Sequence, residues 1–430
     1  MTAVVTFGCA KDPLAGVKAL GWQAQQTPRG VTLLFNGTPP AQSAEILQRL
    51  NAPLDIRLTN VDRIPDFVAA LTRLSALDLR STGVSDLSLL RHLTSLTRLD
   101  LRFTRVTDIA PLEGLNALSA LELNSTPVSD ITPIADLKNL SVLDLSSTAV
   151  RDLTPLQNLT GLATLNLYRT AASDVSVLRG LKKLSKLDLG FTMVADVSAL
   201  RGLHTLLSLD LSGTGVTGIE ALNELRALTK LDAGSTRVTD LAPLTPLRAL
   251  TTLYLPQTPV SDVSPLAGLT NLATLDLRET GVRDLSPLRN LRALTTLHLA
   301  GTHVEDISAL SPLEGLHTLG LSHTPLYDLS PIRGMSKLSD LDLSATRVTD
   351  LTPLAALVNL TTLDLGATRV SDLRPLQGLK NLANLDLSAT SVRDVSPLGR
   401  LTFLSSLDIT SAPVTDVSSL KGLANLDLRR

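Results

Sequence analysis

The chain has 430 residues, a formal net charge of −2, 43% hydrophobic residues and only 2% aromatic residues. A balanced charge provides no field that would attract nucleic acid or an anionic membrane surface, so we expect neither as a partner. The apolar residues are spread at regular intervals, and no run of them is long enough to span a bilayer.

The N-terminal residues do not fit the pattern that follows, and we predict that residues 1–50 form a cap. Residues 31–36 (VTLLFN) predict a strand, and residues 41–50, which follow two prolines, predict an amphipathic helix. Together they are expected to cover the first unit of the remaining chain. The cap is therefore predicted to consist of a strand plus a helix.

A 22-residue motif, LxLxxTxVxDLxPL with its spacer, starts at Leu77 and recurs sixteen times without insertion or deletion. A fixed period of this size is typical of a solenoid, in which each coil buries its apolar face only by stacking on its neighbours. We therefore predict one solenoid over residues 51–430, with about 17–18 coils. Residues 54–71 are expected to form a degenerate first coil in which Phe67 replaces a leucine. The residues predicted to be buried there are Leu54, Ile56, Thr59, Val61, Ile64 and Phe67.

Each position of the repeat predicts a structural role. Leu77 and Leu79 alternate with outward residues as in a half-buried strand, so stacked coils should pair these strands into a parallel sheet. Thr82 recurs in fifteen of sixteen coils, and its hydroxyl is expected to bond the backbone of the turn. Asp86, also present in fifteen, precedes a short apolar stretch and is typical of an N-cap. The short segment that follows predicts a 3₁₀ or helical turn.

The repeat resembles the leucine-rich repeat family, and its form LxxLxxLxLxxTxVxDLxPL is most similar to the bacterial internalin-type subclass. The resemblance implies an α/β fold, a right-handed solenoid arc with a long parallel β-sheet on the concave face and short 3₁₀ or helical turns on the convex face. It implies a non-enzymatic scaffold that binds a protein partner through the concave sheet. It does not indicate the partner, the organism or the pathway.

The outward position between the strand leucines is mostly acidic, and two interpretations of this acidic row stay open. The row is either a docking stripe for a basic segment or a repeated consensus that is solvated everywhere. Because only departures from the consensus can carry partner identity, we predict a contact patch near the breaks at Tyr254, His298 and Gly320; Asn166 is a fourth break. The predicted patch comprises Tyr254, Gln257, His298, His303, His323 and Tyr327.

Two smaller patches are predicted near the strand ends. One comprises Arg80, Arg102, Phe103 and Arg105, and the other comprises Tyr168 and Arg169 beside Phe191 and Met193. Large apolar residues exposed on a binding face often mark contacts. The alternative for Phe103 and Phe191 is that both fill a groove beside the threonine row, since they share one repeat position.

No catalytic signature is present, because the chain lacks a P-loop and the GxGxxG, GxSxG and HExxH motifs. The three histidines of the predicted patch are not accompanied by a carboxylate or cysteine at metal-ligand spacing. We therefore predict no catalytic residue, no metal site and no cofactor.

The single cysteine, Cys9, excludes internal disulfides and suits a reducing compartment. The N-terminus lacks the basic region and the long apolar stretch of a secretory signal, although Gly8 and Cys9 faintly resemble a lipoprotein cleavage site. We expect a cytoplasmic protein; a secreted or injected effector that binds a host protein is the alternative.

The C-terminal residues predict an unpaired edge strand carrying Leu426 and Leu428. Three interpretations stay open: Arg429 and Arg430 act as charged gatekeepers, the edge pairs with a second copy in a homodimer, or the chain is truncated. The second interpretation corresponds to a self-associating structural solenoid.

Overall fold

A computed structural model describes residues 14–28 and 30–430. Gly8 and Cys9, with the interpretations attached to them, lie outside the described residues. The chain forms two compact units, residues 1–194 and residues 195–430, and each is described by itself.

The described part of the first unit contains two short α-helices and nine strands. The helices are α1 (Ala15–Ala19) and α2 (Ser43–Arg49). The strands are β1 (Gln23–Thr27), β2 (Gly30–Asn36), β3 (Leu54–Thr59), β4 (Leu74–Asp78), β5 (Arg98–Asp100), β6 (Ala120–Glu122), β7 (Val142–Asp144), β8 (Thr164–Asn166) and β9 (Lys186–Asp188). The 3₁₀ turns are Asp66–Ala70, Ser88–Leu90, Ala110–Leu112, Thr132–Ile134, Thr154–Leu156 and Ser176–Gly180.

The predicted strand and helix of the cap correspond to β2 and α2, with α2 beginning at Ser43. The sequence analysis missed α1 and β1, because β1 reads QAQQT and carries no apolar alternation. β1 pairs antiparallel with β2, which pairs in parallel with β3. Trp22 lies beneath them, with its Nε1 donating to Ser43 Oγ at 3.0 Å and its ring centroid 5.0 Å from that of Phe35. The domain boundary at residue 50 stays a prediction.

The degenerate first coil differs from its predicted packing. Leu58 and Val68 are fully buried, whereas Thr59 and Phe67 are only half-buried. The prediction for Phe67 is wrong because the 3₁₀ turn Asp66–Ala70 directs Val68 into the core instead.

The second unit contains eleven strands and eleven 3₁₀ turns in its described residues. The strands are β10 (Ser208–Asp210), β11 (Lys230–Asp232), β12 (Thr252–Tyr254), β13 (Thr274–Asp276), β14 (Thr296–His298), β15 (Thr318–Gly320), β16 (Asp340–Asp342), β17 (Thr362–Asp364), β18 (Asn384–Asp386), β19 (Ser406–Asp408) and β20 (Asp427–Arg429). The 3₁₀ turns are Ser198–Leu200, Glu220–Glu224, Ala242–Leu244, Ser264–Gly268, Ser286–Asn290, Ser308–Leu310, Ser330–Ile332, Thr352–Ala356, Arg374–Gly378, Ser396–Arg400 and Ser418–Gly422.

In both units the repeat strands pair in parallel, and equivalent leucines face each other, as with Leu363 and Leu385. Leu363 is fully buried, as is Leu365 after it, so each coil contributes a layer of leucines to the core of its unit. Burying one such side chain contributes about 1.5–3 kcal/mol. The predicted leucine-rich repeat fold, with a parallel sheet opposite short 3₁₀ turns, is confirmed.

The repeated threonine caps the end of each strand. In fifteen coils its Oγ1 donates to the carbonyl oxygen of the residue three positions earlier, as Thr82 does to Leu79 at 2.6 Å. This residue is leucine in fourteen coils and Ala233 in the coil of Thr236. The hydroxyl is buried, so this bond satisfies a carbonyl that solvent cannot reach. The predicted bond to the turn is confirmed, although it stays within one coil and does not link neighbouring coils.

A different hydroxyl position, which the sequence analysis missed, links neighbouring coils. The Ser or Thr just before a strand donates to the backbone carbonyl of the equivalent residue one coil earlier. Thr97 Oγ1 donates to Ser75 O at 2.7 Å, and Thr251 Oγ1 donates to Thr229 O at 3.1 Å. These bonds supplement the backbone pairing of adjacent strands.

The aspartate repeated at positions 86 to 416 lies two residues before each 3₁₀ turn. It is one residue earlier than the predicted N-cap, which Ile131 occupies in the turn that starts at Thr132. In all fifteen coils that carry it, its Oδ1 accepts the backbone N–H two residues ahead, as Asp130 does from Thr132 at 2.8 Å. Hydrogen bonds from the side chain and backbone of Thr132 lower the pKa of Asp130. The same causes lower the pKa of seven further members, Asp152, Asp174, Asp284, Asp350, Asp372, Asp394 and Asp416.

This aspartate row should make the protein sensitive to acid. A carboxylate whose pKa is lower in the folded state stabilises the fold above its unfolded pKa of about 4, and this stabilisation is lost as the pH falls through the folded pKa. We expect thermal stability to fall steeply below about pH 4. The variant Asp130→Asn/Asp152→Asn/Asp174→Asn retains the acceptor oxygens but does not titrate, so its melting temperature should depend less on pH. An unchanged slope in circular dichroism melts would contradict this role.

The last strand, β20, pairs with β19 so that Leu428 lies opposite Leu407. Leu428 is half-buried, as is Leu426, which precedes the strand. The homodimer through this edge stays a prediction.

In the described ranges, no helix has the length and apolar character needed to cross a membrane.

Candidate functional site

The outward residues between the strand leucines form what we call the central column, the positions from 78 to 408 at intervals of 22. In twelve coils its Asp or Asn accepts a hydrogen bond from the backbone N–H two residues ahead, at 2.7–3.1 Å. Most of these side chains are half-buried. The column is thus neither a plain docking stripe nor a solvated consensus, because one oxygen of each side chain closes the turn after the strand.

Among the described residues, four members of the central column do not make this bond: Glu122, Tyr254, His298 and Gly320. Glu122 keeps the charge and lies 3.7 Å from the Arg102 Nε. At Tyr254 the acceptor is lost together with the donor, because the residue two positions ahead is Pro256, which has no N–H. Asn166 keeps the bond, donated by the Tyr168 N–H at 3.0 Å, so this break preserves the structural role.

Three of the four exceptions lie on four consecutive strands of the second unit. β12 to β15 pair so that Tyr254 lies opposite Asp276, Asp276 opposite His298, and His298 opposite Gly320. We call these four residues the Tyr–His row. A Cβ at Gly320 would lie 3.1 Å from His298 Nδ1, so the missing side chain leaves room for the imidazole. Lys230 Nζ lies 5.7 Å from the centroid of the Tyr254 ring, a cation–π contact.

An ion pair lies between Tyr254 and His298, the two half-buried members of this row. Asp276 is only 2% exposed, and Arg278 binds it in a bidentate manner, with Nη2 2.6 Å from Oδ2 and Nε 3.0 Å from Oδ1. The Arg278 side chain remains 52% exposed. The hydrogen bond to Asp276 raises the pKa of Arg278. Tyr254 and His298 are therefore positioned on either side of a fixed carboxylate.

Immediately after the turn, each coil has a residue with a positive φ, near 55° in the non-glycine cases, at the positions from 81 to 411, which we call the left-handed column. Gln257 belongs to this column. Its Oε1 accepts from Ser235 Oγ at 2.9 Å, and its Nε2 donates to Glu279 Oε2 at 3.0 Å. Gln257 therefore lies in a chain of polar contacts across three coils beside the Tyr–His row.

The remaining members of the predicted patch lie further from the sheet. His323 is exposed in the left-handed column, with φ of 55°. His303 is exposed just after the buried Thr302, and Tyr327 is 65% exposed three residues after Thr324. The structure thus brings Tyr254 and His298 together on the sheet, with Gln257 at its margin, and places His303 and Tyr327 on the turn. Within residues 14–28 and 30–430, no group of three or more potential ligands could hold a metal ion.

The arginines of the second predicted patch are held in ion pairs of the first unit. Arg80 Nη2 lies 2.6 Å from Asp78 Oδ2, and its Nε lies 3.4 Å from Asp100 Oδ2. Arg102 repeats this arrangement with Asp100 at 2.7 Å. Hydrogen bonds to these carboxylates raise the pKa of both arginines. Arg105 is exposed beyond the turn.

Phe103 and Phe191 occupy the left-handed column and do not fill a groove. Their side chains are 59% and 50% exposed, and their φ angles are 57° and 55°. The groove-filling alternative therefore does not hold. Tyr168 packs edge-on against Phe191, and Arg169 lies over both rings.

Elsewhere the central column is acidic and crowded. Burial raises the pKa of Asp232, and the neighbouring charge of Asp210 acts in the same direction. Burial likewise raises the pKa of Asp364, with Asp342 and Asp386 reinforcing the shift. These carboxylates repel one another, so their mutual interaction does not favour the acidic row. The repetition of aspartate is explained by the hydrogen bond that each side chain accepts in its own turn.

Comparisons with known proteins agree with this architecture. Residues 270–312 match the family described as Leucine Rich repeats (2 copies). No curated protein matches the chain. A solved structure of an internalin (inlF) from Listeria monocytogenes is 27% identical with a TM-score of 0.62, covering 81% of this chain and 95% of that chain. A solved structure of a leucine-rich repeat protein from Leptospira interrogans is 22% identical with a TM-score of 0.73, and the match covers 92% of this chain and 99% of that chain.

A plant protein shares the fold at lower identity. The leucine-rich repeat ectodomain of the membrane receptor kinase GASSHO1/SCHENGEN3 from Arabidopsis thaliana is 19% identical with a TM-score of 0.55, covering 91% of this chain and 57% of that chain. That ectodomain was solved in complex with CASPARIAN STRIP INTEGRITY FACTOR 2. The fold is thus one that supports protein-interaction scaffolds in general. The repeat, the family match over residues 270–312 and the bacterial structures support a leucine-rich repeat protein of the bacterial internalin-like type.

Proposed function

We propose that the protein is a non-enzymatic scaffold that binds a protein partner through the sheet face of the second unit, at the Tyr–His row. The observation that carries the proposal is the loss of the turn bond at Tyr254, His298 and Gly320. In twelve coils the central-column side chain accepts the hydrogen bond that closes the turn, whereas the residues at these three positions do not. The turn therefore does not determine which residue occurs there, and a binding partner can.

The chemistry of the row suits a protein contact. Tyr254 and His298 are half-buried and combine an apolar ring with a polar atom, the type of side chain that contributes most at interfaces. Asp276 and Arg278 fix the surface between them, so little side-chain entropy is lost on binding. The complex of the plant ectodomain, a protein of the same fold, supports the proposal at the level of the fold. The cytoplasmic location, with export as its alternative, stays a prediction.

The test is affinity capture from the native cell, with the variant Tyr254→Asp/Pro256→Ser/His298→Asp. This variant restores the acceptor at both positions and the donor at residue 256, so it should fold while losing the recognition residues. We expect the wild-type chain to retain a partner that mass spectrometry identifies and that the variant does not retain. The matched control is His303→Ala/Tyr327→Ala, which removes exposed rings from the turn and should capture the same partner. Equal capture by the restored variant, or loss in the control, would contradict the assignment to the sheet face.

A further inference from the structure

A cluster in the first unit combines two aromatic rings, a guanidinium and a thioether near the ends of β8 and β9. The Tyr168 and Phe191 ring centroids are 5.5 Å apart at an interplanar angle of 71°. Arg169 Cζ lies 5.3 Å from the Tyr168 centroid and 5.7 Å from the Phe191 centroid. Met193 follows and is 68% exposed. We call these four residues the aromatic–arginine cluster.

The fold does not require these side chains. Phe191 and Arg169 occupy the left-handed column, where a non-glycine residue incurs backbone strain. Serine occupies this column in five coils and alanine in three, so small residues meet the backbone requirement. A half-exposed phenylalanine at such a position buries little apolar surface and still incurs the strain. Its packing contacts are those with Tyr168 and Arg169 of the cluster itself, so the repeat backbone does not account for its presence.

The central column changes beside this cluster in a way that alters only charge. Asn166 accepts the same turn bond that aspartate accepts in eleven other coils, here from the Tyr168 N–H. Asparagine and aspartate have nearly the same shape, so the substitution keeps the turn and removes one negative charge three residues before Arg169. Lys186 is exposed on the adjacent strand, opposite Thr164. Asp144 and Asp188, on the strands to either side of Asn166, use one oxygen each on their own turns.

The Arg102–Phe103 pair shows what is particular about this cluster. Phe103 has the same backbone conformation and a similar exposure, but the preceding Arg102 is bound by Asp100 and lies close to Glu122. The charge of the Arg102 guanidinium is therefore neutralised by Asp100 of the same coil and Glu122 of the next coil. Arg169 instead lies on two rings, which orient it without neutralising its charge.

We propose that the aromatic–arginine cluster is a docking site for a segment of a partner protein in which carboxylates alternate with apolar side chains. The carboxylate pairs with Arg169 in a charge-assisted hydrogen bond, and the apolar side chain covers Phe191 and Met193. Charge complementarity identifies the occupant. Asparagine at position 166, in place of the usual aspartate, removes a negative charge that would repel an anionic group. The inference rests on the proposed function, because it takes the chain to be a protein-binding scaffold, but it concerns a different surface.

The experiment uses the full chain and a fluorescein-labelled heptapeptide in which three glutamates alternate with leucine and phenylalanine. Two matched peptides carry glutamine or lysine in place of glutamate. We expect saturable fluorescence anisotropy for the glutamate peptide, at least tenfold weaker binding of the glutamine peptide and none of the lysine peptide. Binding should weaken as salt is raised, because the contact is between exposed charges. A ten-nucleotide oligothymidine should not displace the peptide.

Three variants locate the site. Arg169→Ser and Phe191→Ser introduce the residue that other coils carry in this column, so both should fold; each is expected to weaken binding about tenfold, as for an interface hot spot. Asn166→Asp restores the consensus charge and should weaken binding several-fold with an unchanged melting temperature. Phe103→Ser is the control and should leave binding within about twofold, as expected for residues away from a hot spot.

The outcomes that overturn the inference are distinct from those that test the proposed function. No saturable binding, equal binding of the lysine peptide, tighter binding of the oligonucleotide, or full affinity in Arg169→Ser would each exclude the site. A Tyr254→Ala/His298→Ala variant should bind the glutamate peptide as the wild type does. Failure of the peptide experiment leaves the capture experiment on the Tyr–His row unaffected.

Discussion

Replacing Leu363 with alanine lowers the free energy of unfolding by about 2–5 kcal/mol, the range for truncating a buried leucine. Leu363 is fully buried on β17, between Leu341 and Leu385 of the neighbouring strands. Because each coil of a solenoid contacts only its neighbours, the cavity cannot be relieved by rearranging a distant part of the core. The substitution should also broaden the transition, since it weakens two adjacent coil interfaces.

Denaturant unfolding followed by circular dichroism measures this effect. The matched control is Thr362→Ala on the same strand, whose side chain is half-exposed on the opposite face and which should cost less than about 1 kcal/mol. A cost below 1 kcal/mol for Leu363→Ala would mean that the leucine layers are not the main source of stability.

The second large effect is expected for Arg278→Met, at about 2 kcal/mol. Removing one partner of a buried ion pair costs about 3–5 kcal/mol, and we reduce this figure because the Arg278 side chain is 52% exposed. Asp276 would remain buried without its guanidinium, so no partner would offset the cost of removing its charge from water. Denaturant unfolding at neutral pH measures this cost.

A comparison with Arg80→Met tests this explanation. Asp78 also lies 3.4 Å from the Arg57 Nε and is 14% exposed, so it keeps a cationic partner and some contact with solvent. We expect a cost below about 1 kcal/mol for Arg80→Met, as for an exposed pair. Equal costs in the two variants would indicate that burial of Asp276 is not the cause.

The regular features of the coil were predictable because each one has a single cause. The period of 22 places Leu77 and its equivalents in one layer, and the buried hydroxyl of Thr82 has only the nearby leucine carbonyl to bond. The aspartate before each 3₁₀ turn follows from the preference of a carboxylate for the unpaired N–H groups at the start of a turn. In the first coil the prediction failed for Phe67, because Val68 lies 22 residues before Leu90 and takes the buried place of the repeat.

The left-handed column could not be predicted from residue types. Positive φ normally selects glycine, but only Gly213 and Gly301 occur among the sixteen coils. Stacking holds the other fourteen residues in this conformation; for example, the N–H of Ser81 donates to Arg102 O of the next coil at 2.8 Å. A long-range contact thus overrides the local preference, and the exposure of Phe103 and Phe191 follows from it.

The candidate site was predictable in part. Tyr254 and His298 stand out from the acidic row by residue type alone, whereas the reason for their importance depends on the turn bond, which the sequence does not display. One signal was available: Pro256 removes a backbone donor in the coil where Tyr254 removes the acceptor. His303 and Tyr327 share the same stretch of sequence, but the turn directs them away from the sheet.

The central claim is that the repeated rows of residues maintain the fold and that the exceptions in the Tyr–His row recognise the partner. The most direct test measures unfolding free energy and partner affinity together for Tyr254→Asp/Pro256→Ser/His298→Asp, using the captured partner. We predict that stability stays within about 1 kcal/mol of the wild type or rises, because each restored hydrogen bond contributes about that amount. Affinity should fall at least tenfold in the same variant. A parallel loss of stability, or an unchanged affinity, would contradict the account.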